Sequence, residues 1–130
     1  MANYAEISNS ILRKKGAVGE KRTKEDEFLS MVKGVEDIHE FDEFLLREAV
    51  RFNFFEAVKY LVEQGADIHI NDDSPLQLAA VKGYLKIVKY LVEQGSDIHA
   101  ENDATLKYAI GAEHTEVVDY LKEMAKREQK

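Results

Sequence analysis

Lys59 to His69 reads KYLVEQGADIH, and Lys89 to His99 reads KYLVEQGSDIH. The two copies lie 30 residues apart and differ only at Ala66 against Ser96. A phrase that recurs at such a period marks a supersecondary unit that buries its apolar side against the next copy of itself, so the chain reads as a short solenoid. The register extends beyond the phrase. Asp37, Asp67 and Asp97 keep it, as do Ile38, Ile68 and Ile98, and His39, His69 and His99. Within the unit, Leu46, Leu76 and Leu106 correspond, then Ala49, Ala79 and Ala109, then Leu61, Leu91 and Leu121. Phe28, Met31 and Val32 fill the same places in a half-unit at the front.

Each unit has the composition of two helices. Ser74 and Gln77 stand as N-cap and N3 of a capping box, and Pro75 supplies a fixed φ for the first turn. The small Ala49, Ala79 and Ala109 predict close approach of a second helix. In that second helix Ile87, Val88, Leu91 and Val92 share one stripe, while Lys86, Lys89 and Glu93 face away. Gly65 and Gly95 end it at positions that favour left-handed φ. The last unit differs. Lys122 replaces the apolar Val62 and Val92, and EMAKREQK replaces the glycine stop, as a terminal unit with nothing stacked upon it requires.

Ahead of the repeats, Tyr4, Ile7, Ile11 and Leu12 fall on one helical face, with Asn3 and Glu6 as its capping box. Gly16 to Arg22 reads as a connector, and Thr23 with Asp26 as the cap of the next helix. The expected organisation is a basic helix and linker over residues 1–24, a capping half-repeat over 25–39, and units over 40–69, 70–99 and 100–130.

Composition limits the function classes. Hydrophobic residues make up 45% and charged residues 33% of the 130, with no run long enough to cross a bilayer. The opening MANYAEISNSILRKK lacks the apolar core of a secretory signal, and the chain has no cysteine; an intracellular, cytoplasmic setting is expected. Net charge is −7, unevenly spread. Residues 1–24 hold six bases (Arg13, Lys14, Lys15, Lys21, Arg22, Lys24) and two acids, a balance of +4 that leaves −11 for the rest. Such a body repels a phosphate backbone, so nucleic acid has access only through the basic arm. No Gly-rich phosphate loop or paired catalytic constellation stands out, so no enzymatic activity and no cofactor are expected. The spacing of stacked units keeps His39, His69 and His99 from sharing one ion, so they read as hydrogen-bonded turn residues, and His114 as plain surface.

The middle unit resembles the ankyrin repeat. Ser74-Pro75-Leu76-Gln77-Leu78-Ala79-Ala80 is similar to T-P-L-H-x-A-A, Gly83 to Val88 to G-H-x-E-V-V, and Leu91 to Ile98 to L-L-x-x-G-A-D-V. The resemblance implies an all-α solenoid of helix-turn-helix units. The unit is 30 residues rather than 33, and the missing three fall between Ile70 and Ser74, so the hairpin fingers should be short and clipped. Glu113 stands where Gly83 permits positive φ. The short unit is also similar to those of ankyrin proteins from giant DNA viruses.

What the resemblance implies for function is a protein partner held on the concave side. Carried over by position, the contacting residues are Arg51 and Phe52, Ile70, Asn71, Asp72 and Asp73, Val81 and Lys82, then Ala100, Glu101, Asn102 and Asp103, with Gly111 and Ala112. A module this small would serve as inhibitor, decoy or adaptor, against a host factor if viral. Phe41, Phe44, Phe52, Phe54 and Phe55 crowd the first unit and read as core beneath the Tyr4 to Leu12 helix, or as a binding patch without that cover. Tyr60, Tyr90 and Tyr120 form a ladder along the second helices.

Overall fold

The computed structural model describes residues 23–35 and 42–128. The expectations placed on the segment from Asn3 to Arg22, on His39 and on Phe41 lie outside the described residues. Among those described there are seven helices and no strand: α1 Lys24–Lys33, α2 Asp42–Arg51, α3 Phe55–Glu63, α4 Ile70–Lys82, α5 Leu85–Glu93, α6 Ala100–Gly111 and α7 Thr115–Glu128.

They form two layers. The inner layer stacks α2, α4 and α6; the outer layer stacks α1, α3, α5 and α7; each inner helix packs on the outer helix that follows it. The core lies between the layers and repeats with the sequence. Phe28 and Val32 in α1, Val58 and Leu61 in α3, and Ile87, Val88 and Leu91 in α5 have no exposed surface. Ala49, Ala79 and Ala109 are equally buried, which is why nothing larger stands there: a bulkier side chain would hold the two layers apart. Val117 and Leu121 continue the row into α7, where Lys122 is exposed.

The helix ends follow from local chemistry. Thr23 Oγ1 accepts from the Asp26 N–H at 3.0 Å, and Asp26 Oδ2 accepts from the Thr23 N–H at 3.1 Å, the reciprocal cap expected from their spacing. Both α3 and α5 close with a left-handed glycine, Gly65 at φ 95° and Gly95 at φ 102°. The residue after each returns a bond to the helix, Ala66 N–H to the Leu61 carbonyl and Ser96 N–H to the Leu91 carbonyl, both at 3.0 Å. The inner helices close the same way through Asn53, Gly83 and Glu113, at φ 60°, 75° and 62°.

The fingers depart from the expected clipped hairpin. Asn71, Asp72 and Asp73 take left-handed angles in succession, φ 50°, 58° and 60°, and Glu101, Asn102 and Asp103 repeat this at 51°, 57° and 62°. Each finger is thus a single left-handed turn followed by a right-handed helix. Asn and Asp tolerate this region best among residues with a Cβ, which accounts for five of the six residues found there. Gln77 also departs from expectation: instead of reaching the Ser74 backbone, its Nε2 donates to the Asp72 carbonyl at 2.7 Å, bracing the turn.

One difference between the two copies of the repeated phrase has an energetic consequence. The Ser96 hydroxyl oxygen is buried and meets no hydrogen-bond partner among the described residues, whereas Ala66 at the same register carries no polar group. Ser96→Ala is therefore expected to stabilise the fold by about 1 kcal/mol, the cost of burying an unpaired hydroxyl, as a rise in the urea midpoint at unchanged slope.

Candidate functional site: the inner-helix and finger face

The C-terminal ends of the three inner helices run side by side, and each exposes an apolar side chain. Phe52 is 43% exposed, Val81 37% and Ile110 51%. Folding leaves these out because the buried stripe of each inner helix is already filled by Leu46, Ala49 and Val50, by Leu76, Ala79 and Ala80, or by Ala109. Phe52 is braced on both sides: its ring stacks on Phe54 at 5.7 Å, and the Arg51 guanidinium lies 5.4 Å from its centroid. Arg51 itself pairs with Glu48 at 3.6 Å, and Lys82 is exposed beside Val81. A rigid aromatic flanked by a guanidinium is the residue pairing that carries binding energy in protein interfaces.

The fingers border this row. Asn71, Asp72, Glu101 and Asn102 are exposed, while Ile70 and Ala100 are half-buried at the start of each turn. Asp73, grouped with this surface by sequence position, is instead 4% exposed. Its Oδ1 lies 2.5 Å from His69 Nδ1, and its Oδ2 accepts the Asp97 N–H at 3.1 Å, so it ties one unit to the next. Asp103 holds the same place one unit later, bonded to His99 Nδ1, but is more open because no further unit covers it. Gly111 is exposed and Ala112 half-buried at the far end of the row. Of the basic arm, Lys24 sits exposed in the first turn of α1, and Arg13, Lys14, Lys15, Lys21 and Arg22 lie outside the described residues.

His69 and His99 are hydrogen-bonded turn residues, each with its backbone N–H on the preceding aspartate at 2.8 Å. Among the described residues no three His, Asp or Glu side chains are arranged to hold an ion. His99 also contacts Glu128 Oε2 through Nε2 at 2.8 Å, which fastens the end of α7 to the preceding turn. Hydrogen bonds donated by the ring to Asp103 and then to Glu128 favour the imidazolium and raise its pKa above 6.5. A raised pKa in the folded state adds stability that is fully present below the unfolded value and fades as pH rises through the folded one. Wild type should therefore exceed His99→Gln in stability most at mildly acidic pH, with the gap closing toward alkaline pH; urea titrations across that range measure it.

His114 is a correction to its reading as plain surface. The ring is half-buried against Gly83, and Nε2 donates to the Val81 carbonyl at 3.0 Å. The same tie occurs one unit earlier, where the Tyr84 hydroxyl reaches the Arg51 carbonyl at 3.4 Å. The 30-residue register from Tyr84 is the signal that could have found it. Tyr108 and Ile110 were also missed. They correspond to Leu78 and Ala80, and they are exposed because α6 ends the inner stack.

The opposite face is stitched by aromatics and lysines. Phe55 meets Tyr90 edge-on at 5.7 Å, and Lys33, Lys86 and Lys89 lie over Tyr60, Phe55 and Tyr120. Burial, followed by a nearby glutamate, raises the pKa of both Tyr90 and Tyr120. This face is a surface of long side chains laid over rings, without the row of open apolar groups found on the inner side.

Two comparisons bear on these units. No curated protein matches the chain. A family model described as ankyrin repeats (3 copies) matches residues 46–129, well over half of the sequence and the whole of α3 to α7. With that match and three stacked helix pairs, this chain belongs to the ankyrin-repeat family.

Proposed function

We propose that the chain is a non-enzymatic module that binds another protein on its inner-helix and finger face. Ankyrin repeats mediate protein–protein interaction, and the reading here rests on one observation: Phe52 and Val81 stand exposed at the ends of the first two inner helices, and Ile110 is exposed near the end of the third. Each of these inner helices is packed on a neighbouring inner helix and on the outer helix that follows it, so little ordering entropy is lost on association. Arg51, Lys82, Asn71, Asp72, Glu101, Asn102 and Asp103 form the polar surround of this centre, while Asp73 contributes by fixing the finger. Occupying a partner's surface without chemistry is the action of an inhibitor, decoy or adaptor, in the cytoplasm and against a host factor if the chain is viral.

The test is the pair Phe52→Asp and Val81→Asp in one chain. Each anchor of an interface centre contributes about 2 kcal/mol or more, so partner affinity should fall at least about 30-fold. Far-UV circular dichroism should not change, since neither side chain is buried. Unaltered affinity would remove this face as the binding surface.

A further inference from the structure

Where α2 meets the first finger, a cavity of about 200 Å³ opens among Arg47, Ile70, Asn71, Ser74, Pro75 and Leu78. It is too small for a cofactor, since sites for ligands of that size run roughly 300–1,000 Å³. An apolar cavity of about 150 Å³ accepts benzene, so this one holds a single aliphatic or phenyl side chain. Its walls suit such a guest. Pro75 is buried and presents a ring with no N–H, Ile70 and Leu78 are half-buried, and Ser74 is small enough to leave the space open.

Arg47 stands at its edge, exposed, and among the described residues no hydrogen bond or ion pair engages its guanidinium. One unit later the residues differ. Gln77 takes the place of Arg47 and is held by its bond to the Asp72 carbonyl, while Ala100, Ala104 and Tyr108 replace Ile70, Ser74 and Leu78. The combination of an arginine with this apolar lining therefore belongs to the junction of the first two units and is not repeated at the next. Outside the first 24 residues the chain carries −11, so an acidic partner group is repelled over most of this body. A planar fork of donors without a carboxylate, set beside an apolar hole, can pair a carboxylate brought by the partner.

We propose that this cavity seats one apolar side chain of the bound polypeptide, with an adjacent aspartate or glutamate side chain of that polypeptide held by Arg47. The proposal rests on the inner-helix and finger face being the protein-binding surface, and it adds the chemistry of the segment recognised there.

A random peptide library, displayed with both peptide ends joined to the carrier so that only side-chain carboxylates are offered, is selected against the full-length chain. Enriched sequences should share Leu, Ile, Met or Phe within two positions of Asp or Glu. An enriched peptide made synthetically should lose at least about tenfold in affinity on Arg47→Glu, the scale of a charged hydrogen-bonded pair. Exchanging its acid for lysine should restore part of that loss, and Leu78→Trp, which fills the cavity, should weaken binding by a similar factor. Enrichment without an acid, indifference to Arg47→Glu, or no enrichment overturns the proposal. The same peptides are measured on the Phe52→Asp, Val81→Asp chain. Binding sensitive to that pair but indifferent to Arg47→Glu sinks the pocket and leaves the face intact; binding indifferent to all three sinks both.

Discussion

Gly83→Ala is expected to lower the unfolding free energy by about 2–4 kcal/mol, a large effect for one added methyl on a helix end. Two causes combine. The residue sits at φ 75°, where a side chain with a Cβ costs about 1–2 kcal/mol. A Cβ built there would also lie 2.5 Å from Nδ1 and 2.7 Å from Cε1 of His114, so the ring must move. Moving it breaks the bond from His114 Nε2 to the Val81 carbonyl and leaves that carbonyl at the helix end unpaired. The two causes separate in a double-mutant cycle. In a His114→Ala background the steric part is gone, and Gly83→Ala should cost only the backbone strain, about 1–2 kcal/mol. Equal costs in both backgrounds would mean that the imidazole yields freely and that the contact does not hold the units together. Urea unfolding of the four chains measures the cycle.

Asp73→Ala is the second large effect, at about 3 kcal/mol. Removing the carboxylate strips the Asp97 N–H of its acceptor in a part-buried contact and His69 of its partner, and hydrogen bonds to a charged group contribute roughly 1.5–3 kcal/mol. Alanine in place of aspartate at φ 60° adds strain to the same finger. Asp73→Asn keeps an acceptor for Asp97 and tolerates the left-handed angle, so it should recover about half of the loss. Asp103→Ala supplies the contrast. It deletes the carboxylate at the same register and brings the same backbone strain at φ 62°, yet that side chain is 49% exposed and no following unit donates to it, so the effect should be smaller than at Asp73 by about 1.5 kcal/mol or more, the part owed to the bond with Asp97. Equal costs at Asp73 and Asp103 would show that the bond to Asp97 does not couple the units.

How much of this was legible in the sequence depends on how far apart the deciding atoms lie along the chain. The repeated phrase, the small Ala49, Ala79 and Ala109, and the Thr23 and Asp26 pair are patterns within one helix or one period, and the helices, the two-layer packing and the cap of α1 follow them. The shortened fingers were readable as a three-residue deficit. Their left-handed turns were not inferred, although Asn71-Asp72-Asp73 and Glu101-Asn102-Asp103 carry the residue types that such angles favour. Asp73 looked like surface because its acceptor role depends on Asp97, 24 residues away and brought near only by stacking. His114 was hidden for the same reason, its contacts with Gly83 and Val81 being made across a whole unit.

The row of candidate contacts was partly readable. Phe52 and Val81 stand exposed as their helical positions imply, but Ile110 and Tyr108 belong to a register that is buried or half-buried elsewhere, and only the end of the stack exposes them. The cavity beside Arg47 arises where two helices and a finger meet, so no single stretch announces it.

The binding claim is tested most directly by placing a photoreactive amino acid at Phe52 or Val81 on the inner face and, in parallel, at Lys59 or Glu93 on the exposed outer helices, then irradiating intact cells that produce the chain. Adducts with one and the same protein from both inner positions, and none from the outer pair, are the predicted result. Adducts from Lys59 and Glu93 with silence at Phe52 and Val81 would contradict it.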